Sequence, residues 1–413
     1  MIPSPNILNI TAGFAIIDAN DKFELNMTGH DRGIQGKTPR PALMPIRGWL
    51  WLKPWLGFVL VLALALATSG CGNFVARRMM QAPNSYPRWL SPPARVELAF
   101  DAIFLTNFPP HYAEVGPPAA RLRYRIIEPA DYNFAVTSTN WMKRGRPYYH
   151  FTFRTKLSGP TNQWTAQPRG TVLLLHGYGV AQFAMSPWAF QLGQEGWRCV
   201  LVDLRGHGKS TGNRIYYGLQ ETRDLSQLLD QLARDGHLSS PVSALGDSFG
   251  AVLALRLKAS DPRIEHVVAI SPYAALSNAV LNIYHEYADW LPGWVPRQGL
   301  KRLPALLNVP PEELDTTSVL TRQPVAALFV AGGADKISPE SEVRKLYTQS
   351  KTGSEIVVVP QASHEAVTYY FNGLVPPVLA WLRGEKIPQP IPPASSLVEP
   401  APTEATAAIA APN

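Results

Sequence analysis

No metal-ligand constellation runs through this 413-residue chain. The one pairing that invites the idea, His285 and Glu286 in "YHEY", lacks the second histidine of H-E-x-x-H and reads as surface. No phosphate-cradling loop, nucleic-acid-binding motif or internal repeat occurs either, so nucleic-acid partners are set aside and no cofactor is implied. Cysteine is scarce, with two residues, and Cys199 falls in the apolar run "RCVLVDL", where a buried structural thiol is the default. Charge is modest at 17% against 46% hydrophobic residues, which suits a large globular core and not a disordered chain. The length would admit two domains, although single α/β domains of up to about 300 residues are common.

The net charge of +7 is unevenly spread. Between Gly72 and Gly170 there are 13 Lys or Arg against 5 acidic residues. Such an excess favours either an anionic membrane surface or a merely solvated face, and the second is the plainer reading.

Met44 to Gly72, "MPIRGWLWLKPWLGFVLVLALALATSGCG", places Arg47 and Lys53 ahead of an apolar stretch from Trp55 to Ala67, followed by small residues. Basic, apolar and small-residue regions in that order have the layout of an export signal. The apolar part is short against the roughly 20 residues of a spanning helix. "TSGC" resembles the lipobox of bacterial lipoproteins, which implies acylation at Cys71; Thr68 departs from the usual leucine. An uncleaved membrane anchor and a buried core helix are the alternatives. Residues before Met44 carry Asp18, Asp21, Glu24 and Asp31, unlike a signal n-region, and a working hypothesis starts translation at Met44 and makes 1–43 a non-native extension. The expected location is the cell envelope, at a membrane surface.

Residues 72–120, rich in Pro and aromatics with one helix-like run "PARVELAFDAIFL", read as a tether docked on the domain. The Pro- and Ala-rich tail, 386–413, cannot bury enough apolar surface to fold. Between them, 121–385 alternates regularly. "DYNFAVTST" and "YYHFTFRTK" read as strands forming an antiparallel start. "GTVLLLHG", "WRCVLVDLRG", "SPVSALGD", "HVVAISP", "PVAALFVAGG" and "SEIVVVPQ" are apolar throughout, as parallel strands covered on both faces must be. Helical stretches separate them; Leu225, Leu228, Leu229 and Leu232 recur at helical spacing before Gly236. The expectation is a mostly parallel, eight-stranded-type α/β sheet with helices on both faces. A Trp- and Pro-rich interval at about 273–320 breaks the rhythm and, by its position, is expected to be a helical lid.

One pentapeptide carries the chemistry. "GDSFG", Gly246 to Gly250, fits G-x-S-x-G, in which the glycines leave room for a strained strand-to-helix turn that lifts Ser248 out at the sheet edge. A serine hydroxyl is a poor nucleophile and needs a base. His364, after the last strand, is the best placed of nine histidines, and Asp335, after the preceding strand, is placed to orient it. Asp247 is expected to make a local hydrogen bond on the elbow, His176 to brace the loop beside it and His207 to close its own turn.

With Ser248, Asp335 and His364 in that order, the chain from about Asp131 to Gly384 resembles the α/β-hydrolase superfamily. "HGYG", His176 to Gly179, is similar to that family's oxyanion strand end, and "DLRGHGKSTG" to its D-x-R-G-x-G-x-S loop. The resemblance implies oxyanion donors at the amides of Tyr178 and Phe249, and a serine hydrolase acting through an acyl-enzyme. The expected substrate is a small or lipid-like carboxylic ester, on the Trp- and Leu-rich insertion; serine aminopeptidase-like activity and a non-catalytic binding protein are the alternatives.

Overall fold

A computed structural model describes residues 7–11, 13–18, 22–26, 72–85, 108–143, 146–156 and 167–388. The apolar stretch with Cys71, the run "PARVELAFDAIFL" and the tail beyond 388 lie outside the described residues.

Strands β1 (Ile7–Thr11), β2 (Gly13–Asp18), β3 (Lys22–Asn26), β4 (His111–Val115), β5 (Ala120–Ile127), β6 (Ala135–Lys143) and β7 (Arg146–Lys156) come first. Then follow β8 (Thr171–Leu175), β9 (Arg198–Val202), β10 (Val242–Asp247), β11 (Ile264–Ile270), β12 (Leu328–Gly332) and β13 (Glu355–Val359). The main sheet has eight strands in the order β13-β12-β11-β10-β8-β9-β5-β4. All its pairings are parallel except those of β5, which is antiparallel to both neighbours.

Period-two alternation assigns the two faces of the sheet. Leu173 and Leu175 of β8 and Val200 and Val202 of β9 join one core; Val172, Leu174, Cys199 and Leu201 join the other. Helices α1 (Ser186–Gln194), α2 (Glu221–Arg234), α3 (Phe249–Ser260), α4 (Leu276–Tyr287), α5 (Trp294–Leu307), α6 (Thr316–Arg322), α7 (Glu340–Gln349) and α8 (Phe371–Leu382) follow in chain order. The Leu225, Leu228, Leu229 and Leu232 face of α2 and nearly all of α3 fill the first core, and Trp188 of α1 stacks on Phe371 of α8 in the second. Burying one such leucine or aromatic side chain contributes about 1.5–3 kcal/mol. The fold class is the one expected: a mostly parallel sheet covered by helices on both sides.

Two strand assignments differ from expectation. The hairpin β6–β7 forms, but in a second sheet of order β2-β3-β1-β7-β6. The antiparallel start of the main sheet is instead β4–β5, and β4 lies inside the stretch read as tether. Its burial alternates so that Ala113 and Val115 point inward, but five residues flanked by prolines give too weak a pattern to stand out. Partner choice is non-local, so the aromatic content of β6 and β7 marked strands without saying which sheet they join.

The interval between β11 and β12 is helical, built of α4, α5, a 3-10 turn at Pro311–Leu314 and α6.

Candidate active site

Three loops at one edge of the main sheet meet around Ser248. The elbow between β10 and α3 holds Ser248 at φ 51°, ψ −109°, a left-handed φ that costs a non-glycine residue about 1–3 kcal/mol. Sterics explain its neighbours. A Cβ on Gly246 would lie 2.1 Å from the Gly250 carbonyl oxygen, and one on Gly250 would lie 2.0 Å from that of Leu175. The turn is pinned by the Ser248 amide donating to Ile270 O (2.8 Å) and by the Ala251 and Val252 amides donating to Ser248 O (3.1 and 3.2 Å).

Asp335 follows β12 and His364 follows β13. Backbone bonds tie the two loops together: Gly333 N donates to Val359 O (2.9 Å) and Ala334 N to Ala362 O (3.0 Å). Asp335 is buried; its Oδ1 accepts from the amides of Ile337 and Ser338, both at 2.8 Å. That leaves Oδ2 to accept from His364 Nδ1 at 2.8 Å, and His364 Nε2 then faces Ser248 Oγ at 2.9 Å. With Nδ1 carrying the proton, Nε2 is the acceptor for the serine hydroxyl. Burial by itself would lower the His364 pKa, but the hydrogen bond to and charge of Asp335, with the charges of Asp247 and Glu365, outweigh it and raise the pKa.

The loop after β8 runs beside Ser248. Gly177 abuts Ser248, since a Cβ there would lie 3.6 Å from Ser248 Cβ. His176 is fully buried; its Nδ1 donates to Gly177 O (2.8 Å) and its Nε2 accepts from Leu204 N (3.1 Å). Burial lowers its pKa to about 4, so it stays neutral and braces the loop. His207 closes its turn through Nδ1 to Arg205 O at 2.9 Å, with a pKa lowered to about 3 by burial. The half-exposed Tyr178 ring meets the rings of His207 and Phe249 edge-on, at centroid distances of 5.7 and 6.5 Å. Phe249 opens α3, where a backbone N–H has no intrahelical acceptor and the helix dipole favours negative charge.

The glycine-rich loop after β9 is a structural brace. Asp203 accepts from the amides of Gln182 (2.9 Å) and Lys209 (3.1 Å), and Arg205 grips Asp224 in a buried two-pronged pair at 2.6 and 2.8 Å.

Asp247 departs from expectation: it makes no local hydrogen bond. Its Oδ1 is shut off from solvent and accepts no hydrogen bond from any described residue. The Ser248 amide, next in the chain, donates instead to Ile270 O. Burial drives its pKa up to about 7; the nearby His364 works against that shift, and Asp335 and Glu365 add to it. Sequence reasoning also missed Glu365, which accepts a hydrogen bond from the Tyr287 hydroxyl of α4. Its place next to His364 was visible in the sequence, but its tie to a residue 78 positions away was not. Lys336 with Glu286 (3.0 Å), and Asn282 Nδ2 with Ile337 O (3.0 Å), also hold α4 against the loop that carries Asp335. Cys71 lies outside the described residues. No group of three metal-ligating side chains occurs among the described residues.

A family model described as serine aminopeptidase, S33, matches residues 166–326. The chain is 23% identical over 207 residues to an uncharacterized protein, YqkD, of Bacillus subtilis, covering 49% of this chain and 67% of that one. It is 32% identical over 107 residues to a monoacylglycerol lipase of Mycolicibacterium smegmatis, covering 24% of this chain and only 36% of the lipase. Among solved structures it is similar to an esterase of Pyrococcus furiosus, with 21% identity, a TM-score of 0.46, and coverage of 64% of this chain and 86% of that one.

Proposed function

We propose that this chain, whose sheet order and family match indicate the α/β-hydrolase superfamily, is a serine hydrolase that cleaves carboxylic esters through an acyl-enzyme. The observation that carries the reading is the unbroken relay from Asp335 Oδ2 through His364 to Ser248 Oγ, at 2.8 and 2.9 Å. His364 Nε2 takes the hydroxyl proton as Ser248 Oγ attacks the carbonyl carbon. The resulting oxyanion is held by the amides of Tyr178 and Phe249, and His364 returns the proton to the leaving oxygen. Water, deprotonated by the same imidazole, then releases the acid from Ser248.

An ester is favoured over an amide by the exposed aromatics of the insertion, Tyr287, Trp290 and Trp294, which suit an apolar acyl chain and a lid role for α4 and α5. The partial match to a monoacylglycerol lipase points the same way. The aminopeptidase reading keeps one observation of its own: Asp247 and Glu365 put negative charge beside His364, where a substrate ammonium group would be welcome. The sequence supports a place in the cell envelope, with the chain held at a membrane through the apolar stretch or an acylated Cys71. Mass measurement of the mature amino terminus tests that, a diacylated Cys71 being the expected species.

A fluorophosphonate probe should label the wild type and leave Ser248→Ala unlabelled with its circular dichroism unchanged. Labelling that survives Ser248→Ala, or a folded wild type that is never labelled, would remove the serine mechanism. A panel of acyl esters and aminoacyl amides run alongside decides between the two substrate classes.

A further inference from the structure

The segment that follows Cys71 is not a loose leash. Residues 72–79 are helical and pack along α5: a Cβ on Gly299 would meet Met79 Sδ and Val75 Cγ1, both at 2.6 Å, and one on Gly72 would meet Arg302 Cγ at 3.2 Å. The following residues are stitched to the loop after β9. Ala82 N donates to Asn213 O (3.3 Å), Asn84 N to Gly206 O (3.0 Å), and the Tyr217 hydroxyl to Met79 O (2.6 Å). The position of residue 72 on the folded domain is therefore fixed.

Both helices turn their uncovered sides outward with the same chemistry. On the first, Phe74, Arg77 and Arg78 stand at i, i+3 and i+4, and Phe74 is 71% exposed. On α5, Trp294, Arg297 and Lys301 stand at i, i+3 and i+7, and Trp294 is 50% exposed. With Arg302 the two helices carry five cations and no carboxylate. The nearest acids in sequence are Asp289, before the exposed Trp290 that precedes α5, and Glu312 beyond its other end. Beside this face a cavity of about 420 Å³ is lined by Arg77, Arg214, Gln81 and Asn213, side chains that can hydrogen-bond a phosphate, together with the apolar Met80 and Leu306.

We propose that the face formed by residues 72–79 and the exposed side of α5 lies flat on an anionic phospholipid bilayer. Two facts select this occupant. The apolar stretch ends at Ala67, five residues before Gly72, a reach of about 17 Å at full extension, so a membrane holding that stretch, or an acyl chain on Cys71, has to lie beside this face. Exposed aromatics among clustered cations are also the composition that seats at an anionic headgroup layer. Docked this way, the insertion is the part of the domain nearest the lipid. The proposal rests on the membrane-anchoring reading given under Proposed function.

The test uses the full chain reconstituted into vesicles of phosphatidylcholine alone or with phosphatidylglycerol, followed by hydrogen exchange. Amides at 72–79 and 294–302 should exchange several-fold more slowly in the anionic vesicles, and 0.5 M salt should remove the difference, as expected of cations worth about a factor of five each at such a surface. Arg297→Gln with Lys301→Gln should weaken the protection, and Arg297→Glu with Lys301→Glu should abolish it while fluorophosphonate labelling is retained. A chain that floats with both vesicle types but shows equal exchange in them overturns the docking face and leaves anchoring intact. A chain that floats with neither overturns both. Protection that instead grows with protein concentration in detergent assigns the face to a second copy and overturns the lipid.

Discussion

At the scale of single residues, the site is a set of competing demands on a few protons. His364 must be neutral to accept the serine proton, and its pKa is raised by Asp335, Asp247 and Glu365 against the pull of burial. Activity is therefore lost as pH falls through that raised value, giving an acidic limb to kcat/KM above the usual histidine range. Asp247→Asn removes one of the charges that hold the proton on the imidazole, so the limb should move to lower pH; a kcat/KM profile from pH 5 to 9 reads it. Glu365→Gln should shift the limb in the same direction. Asp335→Asn leaves the geometry but inverts the hydrogen bond that sets the tautomer, and turnover should fall by about four powers of ten. Ser248 could be singled out by its flanking glycines, and Asp335 and His364 by their places just after apolar strands. The missing hydrogen bond at Asp247 Oδ1 could not be read in the sequence, because it depends on the three-dimensional surroundings of the elbow.

At the scale of elements, two features bear weight. The elbow has no slack: Gly250→Ala drives a methyl group into the Leu175 carbonyl, 2.0 Å away, and should cost about 1–3 kcal/mol or more in urea unfolding, with labelling of Ser248 reduced. The loop after β9 is locked to α2 by Arg205 and Asp224, both almost wholly buried and joined at 2.6 Å. Removing one partner strands a buried charge, so Asp224→Ala should destabilise the chain by about 3–5 kcal/mol. The double replacement by apolar residues should recover part of that loss, which separates charge burial from lost packing. "DLRGHGKSTG" identified this loop in the sequence, whereas nothing in the sequence marked its partner Asp224, one of two acids in the first turn of α2.

At the scale of the whole molecule, charge of opposite sign collects in different places. The chain is +7 overall, yet carboxylates gather beside His364 while the segment after Cys71 and α5 are purely cationic. A field of that shape would draw a cationic substrate toward Ser248, and the cationic face would favour the anionic lipid surface proposed for it. For an ester bearing an ammonium group near the carbonyl, kcat/KM should decline as salt rises from about 0.01 to 0.3 M, and for a neutral ester of equal size it should stay flat.

The sequence alone marked the six parallel strands and the serine turn, because a strand buried on both faces must be apolar throughout and a serine held on a strand-to-helix turn must sit between glycines. It also set the order of Ser248, Asp335 and His364, each on a loop after a strand. Only the tertiary structure decided which edge takes β4 and β5, that β6 and β7 belong to another sheet, that Asp247 Oδ1 is buried with no hydrogen-bond partner among the described residues, and that residues 72–79 are docked along α5. Local patterns record whether a residue is buried. They do not record which distant surface buries it, and that is settled when the chain closes on itself.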